Sequence, residues 1–281
     1  MDYELIDSGN GRRLERFGVY LIDRPDPEVL WQKTLADDEW KKAEAKFVRT
    51  HEDNGRWETK PNFPESWVIN FNNLKILLKL SPFKHLGAFP EQEWEWTLIS
   101  ELVTCNASQS NILNLFGYTG LASLSALSAG AKVTHVDASR PAISWFNDNL
   151  KLNNLDDKPV RFIPEDCLKF VEREIKRGTK YDGIIMDPPV YGHGPNGEKW
   201  SFSKDFPTLL DNVTKLLSNN PLFVIVNAYA VSTSPTTLQN ILQGKFNEFG
   251  GEIKSGELTL KEKSAGRILS TGIWAMWKKI M

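Results

Sequence analysis

The chain has only two cysteines, Cys105 and Cys167, among its 281 residues. So few exclude a disulfide framework and fit a reducing, cytoplasmic setting. The four histidines, His51, His85, His135 and His193, are scattered and lack the spacing of zinc ligands, so no metal is expected. No apolar run reaches the roughly 18 residues that a membrane-spanning helix needs. The acidic start, Met1-Asp2-Tyr3-Glu4, carries no secretory pattern. Charge of one sign is missing too: 34 Lys and Arg face 36 Asp and Glu, for a formal net charge of -2. That balance gives no global pull toward nucleic acid, and the first ninety residues are as balanced as the whole. Internal repeats and low-complexity tracts are absent.

What is present is an ordinary globular composition, 41% hydrophobic and 25% charged, with length for one large domain or two small ones. The ten tryptophans read as core or interface anchors. Residues 1–85 read as a β-rich unit and residues 86–281 as a separate α/β domain. In the first, residues 3–7 and 13–23 read as short strands joined by Ser8-Gly9-Asn10-Gly11, a hairpin signal. Residues 31–46 can be helical, Asn54-Gly55 reads as a turn, and residues 67–71 and 74–80 pair across Asn72-Asn73. A linker, residues 81–92, leads into a helix over 91–105. From there strand and helix alternate, the pattern of a doubly wound, mostly parallel sheet covered on both faces.

The centre of that domain is Asn111-Ile112-Leu113-Asn114-Leu115-Phe116-Gly117-Tyr118-Thr119-Gly120. It reads as a buried strand that breaks at glycine and restarts as a helix, and Gly117 and Gly120 are the residues expected to supply positive φ. A strand, a glycine turn and a helix N-terminus make a binding edge for a nucleotide-like ligand. Three acids then follow three later strands. Asp137 lies twenty residues after Gly117, the spacing of an acid that accepts hydrogen bonds from ribose hydroxyls; locally it is equally a helix N-terminal acid. Asp166 is open to two readings, an acceptor for an adenine amine or an N-cap. Asp187-Pro188-Pro189 directly follows an apolar strand, and two prolines there continue neither ladder nor helix, so they fix a rigid turn. Residues 192–200 read as a flexible loop, open to service as a lid.

The segments Asn114-Leu115-Phe116-Gly117-Tyr118-Thr119-Gly120, Val133-Thr134-His135-Val136-Asp137-Ala138-Ser139, Glu165-Asp166 and Asp187-Pro188-Pro189 occur in the order and spacing of class I S-adenosylmethionine-dependent methyltransferases. With His85-Leu86-Gly87-Ala88-Phe89-Pro90-Glu91-Gln92, the chain most resembles the large-subunit rRNA methyltransferase-like family. The resemblance implies a Rossmann-like fold with a seven-stranded sheet. It also implies a cofactor, S-adenosyl-L-methionine, held by Phe89, Gln92, Asn114, Phe116, Gly117, Thr119, Gly120, Asp137, Ala138, Ser139, Asp166, Cys167 and Asp187. Within that set, Phe116 and Gly117 would lie against the methionine part, Asp137 on the ribose and Asp166 on the adenine amine. Ala138 and Cys167 would flank the adenine, and Phe89 and Gln92 would close over the ligand. Asp187 and Pro188 would sit beside the transferred methyl, with Pro189 and Tyr191 completing the catalytic turn. RNA is the implied partner.

Two departures narrow the chemistry. Family members that attack a pyrimidine carbon use a cysteine after the fifth strand, whereas this chain reads Val226-Asn227-Ala228-Tyr229-Ala230 there. An aromatic often follows the double proline directly to stack on a flipped base; here Val190 does, and Tyr191 comes next. Rival readings are a methyltransferase for a small molecule or protein, and a binding module that keeps the cofactor fold. A nicotinamide-dependent oxidoreductase fits less well, because the three-glycine fingerprint is incomplete.

Overall fold

A computed structural model describes residues 1–51, 54–106 and 108–280, excepting the side chains of residues 51 and 54. The chain divides into two compact units: residues 1–93 with 259–271, and residues 94–258 with 272–281.

The first unit opens with β1 (Tyr3–Gly9), β2 (Arg12–Phe17) and β3 (Tyr20–Pro25). Asn10 and Gly11 turn β1 into β2 with φ of 54° and 71°, the left-handed pair that a tight hairpin demands. The stretch 13–23 is not one extended strand: it folds back at Gly18, where φ is 64°. Next come a one-turn helix α1 (Asp37–Trp40), then β4 (Ala45–His51) and β5 (Asn54–Thr59), which complete a five-stranded sheet in chain order. β6 (Ser66–Phe71) and β7 (Leu74–Lys79) form the hairpin expected across Asn72-Asn73.

Two sequence expectations fail here. Asn54 and Gly55 start a strand and are not an isolated turn. Residues 31–46 are helical only over Asp37–Trp40. The buried carboxylate of Asp7 takes backbone amides that a longer helix would use, accepting from Thr34 N at 3.3 Å and Leu35 N at 3.0 Å, and it also accepts from the Trp40 indole at 2.9 Å. Asn10 N donates to the Trp31 carbonyl at 2.7 Å. Helical propensity is worth only tenths of a kcal/mol per residue, so ~1 kcal/mol hydrogen bonds to a buried acceptor outweigh it.

Residues 259–271 join this unit through Glu262 and Arg267. Glu262 Oε1 accepts from Ser8 N at 2.6 Å, and the Arg267 guanidinium clasps both the Glu262 carboxylate and the Ser8 carbonyl. Nearby, Leu5, Val29, Leu260 and Leu269 form a small apolar core.

A buried ion cluster lies across β2 and β3. Arg24 grips Glu15 through Nε at 2.7 Å and Nη2 at 2.8 Å, and the Tyr3 hydroxyl donates to Glu15 at 2.8 Å. Arg13 lies 3.2 Å from Asp26 and 3.7 Å from Glu15. Burial would raise the Glu15 carboxyl, but Arg13, Arg24 and the hydrogen bonds win and bring it down to about 2. A depressed carboxyl stabilises the fold fully above its unfolded value and loses that contribution as pH falls through its folded one. The Glu15 contribution is therefore expected to vanish between pH 4.5 and about 2. Glu15→Gln leaves two arginines short of a counter-charge and is expected to cost about 3–5 kcal/mol at neutral pH. Thermal melts against pH check both: the variant should melt lower at pH 7 and lose less on acidification.

In the second unit, α2 (Glu93–Thr104) precedes β8 (Asn111–Leu115), α3 (Leu121–Ser128), β9 (Lys132–Val136), α4 (Arg140–Leu152), β10 (Val160–Ile163), α5 (Cys167–Arg177) and β11 (Gly183–Met186). A small hairpin, β12 (Tyr191–His193) and β13 (Lys199–Ser201), leads to α6 (Phe202–Thr214), β14 (Phe223–Ala228), α7 (Pro235–Phe246), β15 (Glu252–Lys261) and β16 (Ile268–Lys278). The seven-stranded sheet runs β10-β9-β8-β11-β14-β16-β15. Its first five strands are parallel and β16 is antiparallel to β14. This is the expected doubly wound, mostly parallel sheet. The chain leaves β8 toward β9 and β10, then returns to place β11 on β8's other side, so the topological switch point lies between β8 and β11. Among the described residues, no helix is long and apolar enough to cross a membrane, and no group of three His, Cys, Asp or Glu side chains is arranged to hold a metal ion.

Candidate functional site

β8 ends at Leu115, and the loop after it is conformationally unusual. Phe116 has φ of 57°, Tyr118 of 50° and Gly120 of 82°. Of the two glycines expected to supply positive φ, Gly120 does so, while at Gly117 two aromatic neighbours carry the left-handed backbone instead. Gly117 is needed for space, since a Cβ there would lie 2.3 Å from the His135 ring. Left-handed bulky residues cost of order 1–3 kcal/mol each and persist where surroundings over-determine them, commonly at ligand sites.

The surroundings here are a buried polar floor. Asn114 Nδ2 donates to Ser123 Oγ at 2.9 Å, and Ser123 Oγ lies 3.0 Å from His135 Nδ1. Ser123 Oγ thus sits between the Asn114 amide and the imidazole, and the direction of its bond to Nδ1 follows the ring tautomer. Burial holds His135 down to about 3, against a smaller upward pull from the Tyr118 backbone, so the ring is neutral at physiological pH. Asn149 Nδ2 holds the Thr119 carbonyl at 3.0 Å. Asn114 and Thr119 are therefore buried supports of the loop. The sequence assigns no role to His135, Ser123 or Asn149, although a histidine and a serine inside otherwise apolar elements are a visible signal.

Strand register brings the acids to this loop. Leu115 pairs with Met186 on one side and Val136 on the other, so Phe116, Asp137 and Asp187 each stand one residue past neighbouring strand ends. Asp137 Oδ2 accepts from Tyr118 N at 2.8 Å and Oδ1 from Ser139 N at 2.7 Å. Burial raises the Asp137 carboxyl above its ordinary range, and those two amides pull the other way. Each oxygen keeps a lone pair. Ser139 caps α4 by accepting from Ala142 N at 3.3 Å, and Ala138 is half-buried beside it. Asp166 caps α5, Oδ1 accepting from Lys169 N at 3.0 Å, so the capping reading describes one of its oxygens. Cys167 begins α5 in the core, where burial pushes its thiol well above the ordinary range.

After β11, Asp187 N donates to the Leu115 carbonyl at 3.3 Å, Pro188 is buried and Pro189 exposed. The expected flexible loop 192–200 is instead largely the hairpin β12–β13. Trp200 anchors it: the indole Nε1 donates to the Pro189 carbonyl at 2.6 Å, and its ring lies 5.0 Å from Phe116. Lys169 Nζ reaches Glu198 at 2.6 Å and ties the hairpin to α5. Tyr191 projects at 76% exposure. At the end of β14, Asn227 is buried and donates to Glu95 Oε2 at 2.7 Å. Neither cysteine is placed as a thiolate nucleophile: Cys105 is an exposed residue just past α2, and Cys167 is buried and protonated. Phe89 and Gln92 belong to the first unit.

The floor, the space above Gly117 and the acceptor pair on Asp137 suit a nucleoside ligand. A family model for S-adenosylmethionine-dependent methyltransferases matches residues 46–240. A crystal structure of the SAM-dependent methyltransferase from Agrobacterium tumefaciens has 39% sequence identity and a TM-score of 0.96, covering all of this chain and 91% of that one. The "Ribosomal RNA large subunit methyltransferase K/L" of Shewanella frigidimarina is 34% identical over 155 residues, and that of Shewanella oneidensis 36% over 155. Each alignment covers 54% of this chain and 21% of the relative, so the chain matches about a fifth of the length of these curated proteins.

Proposed function

Since the chain belongs to the S-adenosylmethionine-dependent methyltransferase family, we propose that it methylates RNA of the ribosomal type in the cytoplasm, with residues 1–85 as the substrate-recognition module. The observation that carries the reading is the juxtaposition of Phe116, Asp137 and Asp187 at the switch point of the sheet. The names of the ribosomal RNA methyltransferase relatives support the substrate class.

In this reading Asp137 accepts from the ribose hydroxyls through its remaining lone pairs, and Asp166 accepts from the adenine amine. Ala138 and Cys167 flank the base, while Phe116 and Gly117 with the left-handed loop cradle the methionine part. Asn114, Thr119, Gly120 and Ser139 hold that cradle in shape. When bound, S-adenosylmethionine supplies an electrophilic methyl carbon on a sulfonium. The chain's own contribution is alignment of the acceptor and exclusion of water, which suffice for an in-line displacement. Asp187 and the Pro188-Pro189 turn, pinned by Trp200, hold the acceptor atom, and exposed Tyr191 stacks on its base. No thiolate takes part.

Titration calorimetry with S-adenosylhomocysteine tests the cofactor site, and no binding at millimolar ligand would sink it. Asp187→Ala is expected to retain the fold and to lower kcat about 100-fold or more, the range for a group that positions or accepts a proton in the transition state. Mass spectrometry of rRNA nucleosides from cells with and without the gene tests the substrate. The near-neutral charge of the chain favours a small-molecule or protein acceptor as second reading, and an unchanged nucleoside profile would select it.

A further inference from the structure

The first unit is balanced in charge overall, yet its cations are not evenly spread. The turn after β7 is closed from two sides: Ser81 Oγ donates to the His85 carbonyl at 2.7 Å, and the Trp57 indole donates to the Ser81 carbonyl at 2.7 Å and the Phe83 carbonyl at 3.2 Å. The closed turn presents the Phe83 ring at 54% exposure. Trp57 sits on β5 opposite Phe47 of β4, with ring centroids 5.2 Å apart. Arg49 lies two residues beyond Phe47 on the same strand, hence toward the same face, and is exposed.

Lys84 follows Phe83 in that turn and is half-buried. Its backbone carbonyl accepts from Arg24 Nη1 at 3.1 Å. Burial, Arg13, Arg24 and Arg49 lower its pKa, with only Asp26 opposing them. The neighbouring His85 is pushed down to about 3 by burial and then by Arg24, Lys84 and Arg13. The anions of this region are already engaged: Glu15 with Arg24, and Asp26 with Arg13. Glu91 has a raised pKa through burial, and Glu58 pairs with Arg56. Among the described residues neither Lys84 nor Arg49 has an ion pair. A half-buried ammonium whose charge is disfavoured by burial and by surrounding arginines is costly unless an anion joins it.

We propose that Phe83, Lys84 and Arg49 form a landing site for one nucleotide of single-stranded RNA, the base stacked on Phe83 and the phosphate held by Lys84 and Arg49. The proposal rests on the reading of RNA as substrate and assigns residues to its recognition. Phe83 selects nucleic acid over other anions: an acidic peptide would use the cations without needing the ring, whereas base-on-aromatic stacking is the sequence-tolerant way to hold single strands.

The test is fluorescence anisotropy of a labelled 12-nucleotide single-stranded RNA across a salt series, with the full chain and the same proteins titrated with S-adenosylhomocysteine as a folding control. Phe83→Ala is expected to weaken RNA binding at least about fivefold, the lower end for loss of one stacked base, and Phe83→Trp to restore it. Arg49→Gln with Lys84→Gln should flatten the log–log salt slope by about 1.4, two phosphate contacts at roughly 0.7 each. Cofactor affinity should stay unchanged throughout. Wild-type-like binding by both sets of variants overturns the site and leaves the RNA reading standing. Loss in the charge variants with none in Phe83→Ala overturns the nucleotide assignment in favour of a charge-only surface. If the wild-type chain binds no RNA even at low salt, the RNA reading falls and the site falls with it.

Discussion

Replacing Asp137 with alanine is expected to weaken S-adenosylhomocysteine binding about 100-fold or more, because hydrogen bonds to a charged acceptor are worth roughly 1.5–3 kcal/mol and two ribose hydroxyls lose theirs. The same change removes the acceptor of Tyr118 N and Ser139 N, so Tyr118 loses a restraint on its left-handed backbone. Asp137→Asn should fall in between. Its carbonyl oxygen can serve one backbone amide, but its NH2 group then faces the other amide donor to donor. Acidification should act in the same direction. Burial raises this carboxyl above the ordinary 3.8, so its protonation starts at a higher pH than for an exposed aspartate. The sign differs for folding and for binding. A carboxyl with a raised folded pKa favours the fold when protonated, so falling pH relieves the apo protein while ligand affinity declines. Calorimetry from neutral into mildly acid pH, run beside thermal melts without ligand, separates the two. A wild-type affinity that is flat through this range, or an alanine variant that binds normally, would remove Asp137 from the ribose site.

The parallel sheet was legible because apolar runs of strand length alternated with amphipathic helices, and a turn or an acid closed each run. The acids were legible as a set for a related reason. In a parallel sheet every strand of one direction ends at the same edge, and the crossover that sets β11 on β8's other side brings Asp187, like Asp137, beside Phe116. What stayed hidden depends on partners distant in sequence. Asp7 captures the amides of Thr34 and Leu35 and stops a helix that local propensity allows. Glu262 and Arg267 carry residues 259–271 into the first unit through Ser8, a pairing more than 250 residues apart. Trp200 was visible as a lone indole in a glycine-rich stretch, but its hydrogen bond to Pro189 O exists only once β12 and β13 pair. Phe116 and Tyr118 in the left-handed region could not be read from residue type, which points to glycine instead.

Gly117 and Gly120 should respond to alanine for different reasons, and the difference can be measured. At Gly120 both conformation and space are against a side chain: φ is 82°, and a Cβ would lie 2.0 Å from the buried Phe146 ring. Left-handed backbone costs a non-glycine residue roughly 1–2 kcal/mol and overpacking about 1–3 kcal/mol more. At about 2–4 °C per kcal/mol for a chain of this size, Gly120→Ala is expected to lower Tm by roughly 5–15 °C. Phe146 packs on His135 at 4.2 Å and on Phe162 at 5.4 Å, so it cannot swing aside without disturbing the floor under the loop. Trimming it, as Phe146→Leu, should return part of the loss in the double variant and leave the backbone share unrecovered. Gly117 lacks positive φ, and the nearest obstacle to its Cβ is the His135 ring, 2.3 Å away. Gly117→Ala combined with His135→Ala should therefore recover nearly all of the clash, though not the Ser123 hydrogen bond. If Gly120→Ala were rescued fully by Phe146→Leu, conformation would carry no share at this position. The left-handed geometry of the loop would then be a consequence of packing and not a constraint on which residue stands there.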